Sequence, residues 1–193
     1  MRRRDLMLQA AAAGLALGAG RRAWGQDSAE ALFDAAGYRR TRYRAPVDRD
    51  PAPAGILPLA RALRLRPGRD SLFIDVLPAD GARRDPGTGV WDGVPPHQTI
   101  PGALWLPETG RAIPDPALWG GLIETIGAAR RAHPRWPIVL FCRADCWMSW
   151  NAARRLALGG VTGVWWQPEG IDGWHDAGRP LAASLPQVVV PHD

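Results

Sequence analysis

Two cysteines, Cys142 and Cys146, stand in the stretch FCRADCWMSW with three residues between them and a tryptophan directly after the second. Such a pair can be a disulfide, part of a metal clip, or a reactive thiol with a companion. A disulfide needs α-carbons within about 7 Å, which a curled loop or one helical turn supplies. A metal would need further ligands such as His97, His175 or Asp145, and a C-x3-C pair without a local histidine is not a usual zinc spacing. As a staple the pair is poorly placed: closing so short a loop is worth about 2 kcal/mol, against nearer 5 for a long one. The spacing suits a functional pair better, in which Cys146 resolves a persulfide or sulfenate on Cys142. The plain alternatives are a buried core cysteine at position 142 and a bystander at 146.

The elements around the pair decide what positions it. PIVLF is an apolar run without polar alternation, as expected of a central parallel strand covered on both faces, and it leads straight into Cys142. Beyond the cysteines, SWNAARRLALGG reads as a helix with Ser149 as N-cap, Ala153 and Leu156 on one face and Gly159-Gly160 as a stop. A thiol between strand end and helix start faces loop amides and the positive helix end, so Cys142 is expected to be more acidic than an ordinary cysteine.

Further strands are expected at SLFIDVL, ALWLP and VTGVWW. Helices are expected at PLARALRL, after Asp115-Pro116 with Leu118, Trp119, Leu122, Ile123 and Ile126 on one face, and at GIDGWHDAG. The Gly/Pro-rich connection 78–102 is a candidate lid. Alternating strands and helices predict an α/β fold with a mostly parallel sheet and helices on both faces.

Charge bears on partners and export. Residues 1–25 carry five arginines and one acid, and the remaining 19 basic and 18 acidic residues nearly cancel, so no nucleic-acid footprint is expected. The leader itself has a basic start, a short apolar run and Ala23-Trp24-Gly25 as a small-x-small cleavage site, with Arg3-Arg4-Asp5-Leu6-Met7 similar to a twin-arginine signal. A general secretory signal is the other reading. Both send the chain to the periplasm, where nearby cysteines can oxidise. The mature chain is expected to have no membrane span, with residues 26–55 as an extension and Pro-rich linker and 185–193 as a tail.

The landmarks SLFIDVL, TIPGALWLP, PIVLFCRADCWMSWNAARRLALGGVTGVWW and PEGIDGWHDAGRPL follow one another as in rhodanese-like domains, and the chain resembles that family over residues 56–184. Within it, CRADCWMSWNAA and PEGIDGW resemble the small periplasmic set associated with pyrroloquinoline quinone-dependent catabolism and described by a C-x-x-C-W motif, although the spacing here is one residue longer. The resemblance implies Cys142 in the persulfide-forming position and a binding loop of Arg143, Ala144, Asp145, Trp147 and Met148. Asp145 replaces a common glycine and Trp147 a residue that often binds the anionic donor, so both count against thiosulfate. Met148, where related phosphatases need arginine, counts against phosphatase chemistry.

The function this implies is sulfur transfer or thiol–disulfide chemistry, with a small sulfur donor or a protein thiol as partner. Its rival is a silent fold that binds or helps mature a quinoprotein dehydrogenase or its cytochrome c. No resident cofactor or metal is expected. Trp147, Trp150, Trp165, Trp166 and Trp91 are either core or an aromatic wall for a flat ligand. His97 falls two residues before the family's usual histidine position, which Thr99 fills, and Asp75 is expected to hold loop amides.

Overall fold

The structure, a computed structural model, describes residues 32–190; the expected leader lies outside the described residues. Five short strands build the central sheet: β1 (Gly55–Ile56), β2 (Leu72–Asp75), β6 (Leu104–Trp105), β7 (Ile138–Phe141) and β8 (Val164–Trp166). Their spatial order is β1-β8-β7-β2-β6 and every pairing is parallel. The helices are α1 (Leu59–Ala62), α2 (Pro116–Ala132), α3 (Trp147–Leu158) and α4 (Gly170–Asp176). The chain is thus an α/β protein with a parallel sheet and helices on both faces.

Side chains of a strand alternate between faces, and that alternation divides the interior. Leu72, Ile74, Ile138, Leu140, Val164 and Trp166 point to one side, where α2 contributes Leu118, Leu122 and Ile126 and α3 contributes Trp147, Met148, Trp150 and Leu156. Phe73, Val139 and Phe141 point to the other, against Ala62 of α1 and Ile171 and Trp174 of α4. Because both faces are covered, β2 and β7 must be apolar at every step, with Asp75 the one polar member.

The α2 start follows its sequence signal: Asp115 accepts from the Leu118 N–H at 3.0 Å, Pro116 opens the helix, and His133 ends it ahead of Pro134. The start of α3 departs from expectation. Its cap is Cys146 in extended conformation (φ −127°, ψ 115°), and Ser149 lies inside the first turn. The 78–102 connection holds a hairpin of β3 (Arg83–Arg84) and β4 (Trp91–Asp92), then β5 (Gln98–Thr99), which pairs antiparallel with β9 (Ala182–Ala183). The tail runs back along the sheet edge, where the Gln187 N–H donates to the Trp105 carbonyl at 2.8 Å and Val189 is buried against Gly121.

Candidate functional site

The strand alternation continues past β7 and fixes the fate of each loop residue. Cys142 has the parity of Ile138 and Leu140, so its side chain turns beneath α3 and is completely buried. Its sulfur lies 3.1 Å from Ser149 Oγ and 3.5 Å from the Cys146 carbonyl. Ser149 Oγ is itself held by the Trp166 indole N–H at 3.0 Å. Arg143 has the parity of Phe141 and emerges on the opposite face, where it pairs with Asp172 of α4 at 3.5 Å.

The loop is bound from two sides. On the α4 side, Gly170 bridges Arg143, the Ile171 N–H donates to the Cys142 carbonyl at 2.8 Å, and the Ala144 N–H donates to Asp172 Oδ2 at 3.0 Å. Gly170 has φ +58°, and a Cβ there would stand 2.3 Å from the Cys142 carbonyl oxygen, so only glycine fits. Asp145, where the resemblance predicts glycine, adopts φ +52°, a left-handed conformation that aspartate tolerates better than most residues.

On the other side lies residues 33–50, expected to be an extension and linker. They form a strap across the loop. The Ala45 N–H donates to the Asp145 carbonyl at 2.9 Å and the Trp147 N–H to the Tyr43 carbonyl at 2.8 Å, so Arg44 and Cys146 form an antiparallel bridge. Asn151, fully buried on α3, accepts from the Arg39 N–H at 2.9 Å and donates to the carbonyls of Arg39 and Gly110 at 2.9 and 3.0 Å. Phe33 meets Trp147 edge-on at 5.2 Å, and the guanidiniums of Arg39 and Arg49 lie over both rings. The Trp150 indole N–H donates to the Arg49 carbonyl at 2.8 Å.

Under this strap the two sulfurs behave oppositely. Burial pushes the Cys142 thiol well above the usual range, reinforced by its hydrogen bond and charge coupling with Cys146, and Ser149 offsets little of it. Cys146, 3 % exposed, is lowered chiefly by the hydrogen bond from Cys142, against its own burial; the backbone amides of Met148 and Arg143 and the charge of Arg44 add to the lowering. Cys142, expected to be more acidic than an ordinary cysteine, is instead pushed upward by burial. The loop amides and helix start act on Cys146, because Cys146, not Ser149, occupies the cap.

The other expected loop residues divide. Arg143 and Ala144 remain on the loop, whereas Trp147 and Met148 point into the core. Of the loop amides, those of Ala144 and Trp147 already have partners, in Asp172 and the Tyr43 carbonyl. Trp150 and Trp166 are also core, so the expected aromatic wall is absent among the described residues around the sulfurs. His97 lies on the Arg143 face, away from the cysteines; among the described residues no group of three or more His, Cys, Asp or Glu is placed to hold a metal.

Sequence reasoning gave little weight to His97, yet the structure seats it on Asp75 at 2.8 Å in a cavity on the Arg143 face. The Thr99 hydroxyl, which donates to Asp75 Oδ2 at 2.6 Å, brings the segment before it over the strand end. No helix of the described residues is long and apolar enough to cross a membrane.

An α/β protein with a parallel sheet and a paired-thiol loop at its carboxyl edge is the class that fold and site define. No family model matches the chain, and no curated protein matches it.

Proposed function

We propose that the chain is an exported rhodanese-like protein whose Cys142 and Cys146 form a thiol–disulfide couple, with Cys146 as the attacking sulfur. One observation carries this reading: both sulfurs sit on one loop, with the Cys142 sulfur 3.5 Å from the Cys146 carbonyl, and it is Cys146 that is lowered toward the thiolate. Persulfide transfer through Cys142 loses support, because that sulfur is sealed and held as a thiol.

The couple works with a partner disulfide as oxidant. The Cys146 thiolate attacks one partner sulfur, forming a mixed disulfide and releasing the other sulfur, which takes up a proton from solvent. Cys142 then attacks Cys146 Sγ, closes the internal disulfide, and its proton goes to the second departing sulfur. Two electrons pass from the cysteine pair to the partner. Attack requires residues 43–45 to leave the loop, so exchange is gated by the strap. A periplasmic setting suits this chemistry, and the resemblance to the pyrroloquinoline quinone-associated set directs attention to a quinoprotein dehydrogenase or a cytochrome c as the partner.

A second reading, a silent fold that binds such a partner, is favoured by the near-complete burial of both sulfurs. Mass spectrometry separates the two. Equilibrated with oxidised glutathione, the thiol couple gives an internal Cys142–Cys146 disulfide, and Cys142→Ser traps a mixed disulfide with glutathione on Cys146. A protein that stays fully reduced in native buffer and oxidises only when unfolded would leave the binding module.

A further inference from the structure

The face of the sheet opposite the sulfurs ends in a cavity of about 390 Å3, lined among others by His97, Trp105, Leu77, Pro96, Arg143 and Leu181. At its floor three donors converge on the fully buried Asp75 carboxylate: the Leu77 N–H on Oδ1 at 2.9 Å, and Thr99 Oγ and His97 Nε2 on Oδ2 at 2.6 and 2.8 Å. A carboxylate only accepts, so Nε2 carries the ring hydrogen. In the neutral ring Nδ1 is then a bare lone pair.

The His97 side chain is 8 % exposed, and its ring is fixed by Asp75 and by Trp105, 4.0 Å between centroids. Trp105 is pinned in turn by its indole N–H on the Leu77 carbonyl at 2.7 Å. Nδ1 makes no hydrogen bond among the described residues. It is also absent from the fully enclosed side-chain atoms without a partner, which are Arg84 Nε, Trp91 Nε1, Trp147 Nε1 and Arg154 Nε. His97 lines the cavity, and no hydrogen bond within the described residues occupies its Nδ1.

We propose that this cavity binds a small neutral hydroxyl compound, whose O–H donates to His97 Nδ1 while its apolar body lies against Leu77, Pro96, Trp105 and Leu181. The lone pair requires a donor. Asp80 and Arg143 on the wall favour neither sign of net charge, and an uncharged hydroxyl with an apolar body suits both the lone pair and the lining. The apolar lining with a single convergent polar group is the usual build of a small-molecule site. The site stands apart from the thiol couple and does not depend on it.

The test is a titration of the full-length chain with butan-1-ol and with its isomer methyl propyl ether, which has equal bulk and no donor, read by NMR on the His97 ring signals. The expected result is a saturable shift with the alcohol and at least tenfold weaker binding of the ether. His97→Phe, followed on the Trp105 indole signal, should lose the alcohol preference. Should that variant fail to fold, Leu181→Trp fills the cavity while leaving the Asp75 contacts in place, and should weaken the alcohol at least tenfold. Silent His97 signals, equal binding of the ether, or an unaffected Leu181→Trp would overturn the proposal. None of these readouts involves the sulfurs, so they stand or fall separately from the redox reading.

Discussion

At the carboxyl edge of the sheet β7 delivers Cys142 to one face and Arg143 to the other, one residue apart, and the two side chains meet unlike surroundings. On the sulfur face, α3 and the strap close over the edge, and the polar groups there, Asn151 and Ser149, are spent on holding the cover and the thiols. On the histidine face, the hairpin connection and α4 leave a cavity, with a charge-fixed imidazole on its wall. The general rule that ligands bind at the carboxyl ends of parallel strands therefore holds for an edge without saying which face is open. Here the nucleophilic atoms are on the covered face and the room for a small molecule is on the other.

The largest test of this division is Gly170→Ala. Gly170 ties α4 to the Cys142 carbonyl at the point both faces share, and the added methyl meets backbone, which cannot rotate away. A loss of about 3 kcal/mol or more in urea unfolding is expected, with sulfur reactivity and His97 NMR signals disturbed together.

Asn151→Ala sharpens the contrast by opening one face only. It strands the Arg39 N–H and two carbonyls under the strap and should cost about 2–3 kcal/mol. Alkylation of Cys146 by iodoacetamide in native buffer should accelerate at least tenfold, while the His97 ring signals stay put. Parallel changes on both faces would show that the division is not real.

The smallest effect concerns pH. Cys146 has a lowered folded value, so the stability it contributes is present above the ordinary thiol range and is lost as pH falls through that lowered value. Cys142 is raised and has the opposite sign: its contribution is lost as pH rises through its folded value. The advantage of the native chain over Cys146→Ser in urea unfolding should thus shrink on acidification. An advantage that grows instead would put the thiolate on the other sulfur.

Much of the frame was legible locally. The run PIVLF marked the central strand, Asp115-Pro116 marked the α2 start, and the turn from Phe141 into Cys142 marked the loop. The alternation that buries Cys142 is equally present in the sequence, since 138, 140 and 142 share a parity. Serine prefers the cap position, yet the extended backbone at Cys146 starts the helix three residues ahead of Ser149. The strap was hidden for another reason. Its polar, Arg- and Tyr-rich composition carries no periodicity, and its partners, among them Asn151 and Trp150, lie 112 and 101 residues along the chain from the backbone groups they hold. Contacts at that separation leave no local pattern.

The alternation of β7 has one further consequence. Which compartment receives the sulfur and which the guanidinium is a matter of counting, settled by the number of steps between Ile138 and the loop. Lengthening the chain by a single residue just ahead of Cys142 would exchange them, bringing the thiol beside the imidazole and driving the arginine in among the tryptophans, without altering the identity of any existing side chain.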